Sequence, residues 1–83
     1  MRYIVRIKPS AKKELDHIPE QYGKRVRAAL VWLTENPFAG KKLHGEYEGY
    51  YTLRVWPYRI IYVIERGQLI ITVIGIGHRQ GVY

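Results

Sequence analysis

The sequence predicts an α+β domain. An N-terminal strand, a two-helix hairpin and a three-stranded antiparallel meander form a curved, mainly antiparallel sheet with the helices on one face. Three observations carry that expectation. Period-two alternation in residues 2–8, and again in residues 50–62, marks strands. Apolar residues at intervals of three and four between Ala11 and Leu33 mark amphipathic helices. At 83 residues the chain is one domain, 1–83. A domain of that size buries only about 60–65% of its unfolded surface, so one layer of helix-on-sheet contact is the simplest core.

In the first strand Tyr3, Val5 and Ile7 share one face, and Arg6 and Lys8 the other. Pro9 stops it, and Ser10 is placed to cap a helix running to about Ile18, with Ala11, Leu15 and Ile18 as its apolar stripe. Pro19 opens a second helix, where its missing N–H costs nothing, and Glu20 suits the positive end of the dipole. Tyr22, Val26, Ala29, Leu30 and Leu33 form its stripe; Lys24, Arg25 and Arg27 turn away as a solvated face. Asn36-Pro37 ends it.

Residues 37–49, with three glycines, read as a loop in which Leu43 plugs back onto the core. Two strands follow, joined by a tight turn at Pro57. Ile60–Ile64 is apolar at nearly every position, as a central strand covered on both faces would be. Arg66-Gly67 turns the chain into a last strand, Leu69–Ile74, after which Gly75, Gly77 and Gly81 interrupt the ending. The first strand is too distant in sequence to form a hairpin with the meander, so it adds to a sheet edge.

Composition removes several function classes. There is no cysteine, hence no disulfide and no thiolate site. The three histidines lie far apart with no acidic cluster beside them, so neither a metal nor another cofactor is expected. No apolar run approaches the roughly 20 residues of a membrane span, and the charged N-terminal run is not a signal peptide; a cytoplasmic protein is expected. Ser10 is the only serine and reads as a cap; paired carboxylates for glycoside chemistry would have to come from Glu46 and Glu48, in a loop. No glycine-rich phosphate loop precedes a helix.

The net charge of +7 calls for an anionic partner. Residues 50–83 hold Arg54, Arg59, Arg66 and Arg79 against a single acid, Glu65, and no lysine. Arginine suits two-pronged contact with phosphate. Strand alternation sets Arg54 on one face with Tyr50, Thr52 and Trp56, and Arg59 follows just past the turn. Guanidiniums among aromatic rings on a rigid sheet suit a polyanion with stackable bases, RNA, with Lys41, Lys42 and His44 of the loop as further phosphate contacts. The plainer reading is a set of solvated surface arginines. RNA cleavage asks little of a protein: the substrate's own 2′-OH attacks, and the site orients it, stabilises the phosphorane and moves protons. A tyrosine or a histidine can do the last, the tyrosine only if neighbouring guanidiniums lower its pKa from about 10.

The runs Tyr51-Thr-Leu-Arg54-Val, Tyr58-Arg59-Ile-Ile-Tyr62, Gly75-Ile-Gly-His-Arg79 and Val82-Tyr83, with Pro9-Ser10-Ala11 and Asn36-Pro37, resemble the RelE family of bacterial and archaeal toxins across essentially the whole chain. The resemblance implies a RelE-like fold and a ribosome-dependent mRNA interferase that cuts messenger RNA in the ribosomal A site without a metal. It also implies a cognate antitoxin, which we expect to be acidic and partly helical, wrapping the toxin in a hetero-oligomer. Arg59 and Arg79 match the phosphate-stabilising arginines, Arg54 a basic strand position, Tyr83 a catalytic tyrosine near the C-terminus, and His78 a position that is often basic; Tyr83 or His78 is expected to move the protons. Thr52 departs from the lysine of some active members, and the Trp56-Pro57 turn is shorter than in some relatives. Two other readings stay open: a ParE-like protein that binds and inhibits DNA gyrase, and a catalytically weak relative kept as an antitoxin-binding module.

Overall fold

The computed structural model describes residues 2–78; the expectations for Arg79 and Tyr83 lie outside them. The elements are β1 (Ile4–Ile7), α1 (Pro9–Asp16), α2 (Glu20–Leu33), β2 (Lys41–Lys42), β3 (Tyr51–Val55), β4 (Tyr58–Glu65) and β5 (Ile70–His78). They form one five-stranded sheet in the order β1-β5-β4-β3-β2. β3, β4 and β5 are the antiparallel meander, and β1 adds to the far edge parallel to β5, with Val5 opposite Ile71. The connection from β1 to its parallel neighbour β5 runs through both helices and then β2, β3 and β4, far longer than such a crossover requires.

The helices cover one face. Ala11 and Leu15 of α1 and Val26, Leu30 and Leu33 of α2 pack on Tyr51, Ile60, Tyr62, Ile71, Val73 and Ile76 of the sheet. The apolar intervals of three and four are therefore core contacts. β4 is the central strand, and Ile61, which points away from the helices, is still only 1% exposed.

The structure departs from the sequence expectations at three places. Pro9 opens α1 rather than ending β1, and Lys8 holds the cap position with no side-chain bond, so Ser10 caps nothing. Pro fits the first helical turn because the N–H it lacks has no partner there. Within the loop, Lys41–Lys42 pairs with β3 as a short fifth strand. β5 continues through Gly75 and Gly77 to His78; a register shift opposite Ile61/Tyr62, not a break, absorbs the irregularity.

One tyrosine ties the loop before β2 to the sheet. The Tyr62 hydroxyl donates to the Pro37 carbonyl and accepts the Gly40 N–H, each at 3.0 Å. Its ring stacks on Tyr51 with centroids 5.5 Å apart. Burial pushes the Tyr62 hydroxyl above the usual tyrosine range, against the opposing effect of the Gly40 N–H, so it stays a donor. Gly40 is required by this approach: a Cβ there would collide with the Tyr62 hydroxyl and lie 2.9 Å from the Thr52 carbonyl.

Candidate nucleic-acid interface

The sheet face opposite the helices is built from alternate residues of each strand. Register places Arg54 directly opposite Arg59 on that face, one pair in from the Trp56-Pro57 turn, whose peptide bond is cis. Opposed like charges destabilise a strand pair, so this arrangement is stable on its own account only at a cost that a bound anion removes. Glu65, on the same face and strand, lies six residues from Arg59, about 20 Å along the strand. Its carboxylate is occupied in accepting the Thr72 hydroxyl at 2.8 Å. Among the described residues, no acid neutralises the pair.

Two buried side-chain polar atoms lack a hydrogen-bond partner among the described residues: Arg59 Nε and Thr52 Oγ1. Both lie on this face, Thr52 one register step from Arg54. A buried donor left unmade costs about 1–3 kcal/mol, which a ligand with several acceptor oxygens would recover. On the other side of Arg59, β5 presents Gly77 opposite Arg59 and Gly75 opposite Ile61. A Cβ on Gly75 would meet nothing within 4 Å, so neither glycine places a side chain beside Arg59.

The other candidates divide. Lys41 pairs with Thr52, so it joins the arginine face at the β2 edge. Trp56 is 54% exposed at the turn beyond Arg54. Tyr50 precedes β3 and packs its ring against Tyr47, 6.4 Å away. Lys42 pairs with Tyr51 and, with His44, lines a cleft on the helix-bearing side. His78 also leaves the group. It pairs with Tyr58, its ring meets the Tyr58 ring edge-on at 5.6 Å, and Tyr58 in turn packs on Tyr22 of α2. Strand alternation therefore puts the imidazole across the sheet from Arg54 and Arg59, where it cannot share their ligand. Conversely, Arg6 lies on the arginine face through its pairing with Thr72; its alternation was legible, its companions were not. The described residues contain no group of three or more His, Asp or Glu that could hold a metal, and no helix long and apolar enough to cross a membrane.

A family model described as the ParE toxin of the type II toxin–antitoxin system parDE matches residues 5–83. The chain belongs to that toxin family. It is a toxin of the RelE/ParE superfamily. Solved structures agree with the fold. The RelBE2 toxin–antitoxin complex from Mycobacterium tuberculosis contains a chain 24% identical, matched over 95% of this chain and 100% of that one, with a TM-score of 0.85. A mutant of the E. coli toxin RelE in the free state is 25% identical over 98% of this chain and 87% of that one, at a TM-score of 0.81. The YoeB/ParE toxin from Agrobacterium tumefaciens is 19% identical over 90% and 96%, at 0.77. No curated protein sequence is significantly similar.

Proposed function

We propose that this toxin is an endoribonuclease that cuts messenger RNA by internal transesterification. The observation that carries the reading is the opposed Arg54–Arg59 pair, whose buried Arg59 Nε has no partner among the described residues. A phosphodiester over the pair receives two guanidiniums, and the Thr52 hydroxyl supplies a further donor. Its 2′-oxygen attacks phosphorus, forming the O2′–P bond; the P–O5′ bond breaks, and the pentacoordinate charge between these events falls on oxygens facing the arginines. One proton leaves the 2′-OH and one reaches the departing 5′-oxygen. Tyr83 is the residue we assign to proton movement and Arg79 to the same phosphate, both by resemblance to RelE. His78, across the sheet, is given no part. Trp56 at the turn and Lys41 at the β2 edge extend the surface along the RNA strand. Action on the ribosome, without a metal, rests on the RelE resemblance. An antitoxin partner is supported by the toxin–antitoxin complexes among the similar structures.

Product ends test the chemistry. Cleavage of a translated mRNA should leave a 2′,3′-cyclic phosphate and a 5′-hydroxyl; a 5′-phosphate product would refute attack by the 2′-OH. The matching family model is named for ParE, which favours a second reading, inhibition of DNA gyrase by binding. Gyrase–DNA cleavage complexes accumulating after induction, with mRNA intact, would replace the first reading by the second.

A further inference from the structure

A second site lies on the other side of the sheet. Where β4 ends and the loop before β3 folds back, a cleft of about 320 Å³ is lined by Phe38, Lys42, His44, Glu48, Tyr51 and Arg66, among others. Tyr51 belongs to the core face, whereas Arg54 and Arg59 face away from the helices. The cleft is thus separate from the arginine pair.

Its chemistry is specific in two respects. The first is charge. Lys42, Arg66 and the ionisable His44 stand against one acid, Glu48, and none of their side chains has an ion pair or hydrogen bond among the described residues. The second is a flat apolar surface. Phe38 is 47% exposed, its ring meeting that of Tyr51 edge-on at 6.2 Å. The Arg66 guanidinium lies over the Phe38 ring, 5.0 Å from its centroid, so the cation is already positioned on the aromatic. Ordering a long side chain before the ligand arrives reduces the entropy that binding costs.

These features select a ligand class. A simple anion would satisfy Lys42 and Arg66 but leave Phe38 in water. An apolar ligand would cover Phe38 and strand the cations. A phosphate joined to a planar heterocycle uses both, and the volume is at the lower end of the roughly 300–1,000 Å³ of small-ligand sites, room for one such unit. We propose that this cleft binds a nucleoside monophosphate unit, its phosphate held by Lys42 and Arg66 and its base against Phe38. The unit has two possible sources: a free nucleotide, or one residue of an RNA strand. Lys41 and Lys42 are adjacent on β2 and face opposite sides of the sheet, so a strand crossing that edge passes from the arginine face into the cleft.

The test is a titration of the full-length 15N-labelled protein with adenosine 5′-monophosphate, followed by amide shifts. We expect saturable shifts at Phe38, Lys42, His44 and Arg66 with a dissociation constant on the order of 1 mM. Adenosine alone and inorganic phosphate alone should each bind at least about fivefold more weakly, the loss expected from one stacking contact. Arg66→Gln, at an exposed position, and Phe38→Leu, which keeps bulk but removes the ring, should each weaken binding by a similar factor. Arg59→Ala should leave it unchanged, so the cleft stands or falls independently of the ribonuclease reading. A triadenylate that binds more tightly and also shifts Lys41 and Thr52 assigns the RNA source; one that binds no better than the mononucleotide assigns the free nucleotide. Absence of cleft shifts at about tenfold that concentration overturns the proposal. So does inorganic phosphate binding as well as the nucleotide, or affinity unchanged in both cleft variants.

Discussion

Removing the Tyr62 hydroxyl should destabilise the fold through the loop it fastens, and pairing that change with Gly40→Ala tests the geometry directly. Tyr62→Phe leaves the buried Pro37 carbonyl without its donor and the Gly40 N–H without its acceptor, two bonds of 3.0 Å. With about 1 kcal/mol net for each bond and partial access of water at Gly40, the loss is about 2 kcal/mol. In a domain of this size that lowers the melting temperature by roughly 8–16 °C. Gly40→Ala alone drives a Cβ into the same hydroxyl and to 2.9 Å from the Thr52 carbonyl. Overpacking of this kind costs about 1–3 kcal/mol, less a few tenths recovered from the stiffer unfolded chain. In the double variant the hydroxyl collision is gone and the Thr52 contact remains. The two losses should therefore fall short of additivity by about 1 kcal/mol. Urea unfolding of the four proteins by circular dichroism measures the cycle. Additivity within about 0.4 kcal/mol would show that Tyr62 and Gly40 do not meet as described.

The arginine face gives three further expectations. Arg54→Gln relieves an opposed like-charge pair, so the free protein should gain a few tenths of a kcal/mol in urea unfolding while its affinity for single-stranded RNA falls and the salt slope drops by about 0.7; a loss of stability would show that the pair is already neutralised within the fold. Thr52→Val removes a buried hydroxyl with no partner among the described residues; thermal unfolding should show it neutral or stabilising by up to about 1 kcal/mol, with RNA binding weakened, and a clear destabilisation would reveal a bond to the hydroxyl. Away from this face, Arg2 holds the Glu35 carboxyl below its ordinary 4.5, by a hydrogen bond first and by charge second. A depressed carboxylate contributes stability that is present above the ordinary value and is lost as pH falls through the lowered one. Arg2→Gln should return the Glu35 titration midpoint to the ordinary range in an NMR pH series; an unchanged midpoint would refute the pairing.

The fold was legible because its signals were local. Alternation in Tyr51–Val55 and the stripe from Val26 to Leu33 each state which side is buried, the apolar run Ile60–Ile64 marks a central strand, and these strands and helices have one economical way to share a core. β2 was not legible: two lysines carry no strand signal, and their pairing with β3 lies beside a contact between Gly40 and Tyr62, 22 positions apart. The glycines of β5 read as interruptions, since sequence does not show that a register shift lets a strand absorb them. Within the candidate site, Arg54 and Arg59 met as expected because a two-residue turn fixes their register. His78 did not join them, because one residue of alternation decides its face and the irregularity in β5 hides the count. The Phe38–Arg66 contact joins residues 28 positions apart, beyond any periodic signal.

The central claim is that the Arg54–Arg59 pair performs RNA cleavage. Primer extension on a reporter mRNA, after induction of the wild type and of Arg59→Ala without antitoxin, tests it most directly. New 5′ ends within translated codons are expected for the wild type, reduced by at least about 100-fold in a variant that still folds, the usual loss when one preorganised donor to a developing charge is removed. Ends of equal intensity in the two proteins would contradict it.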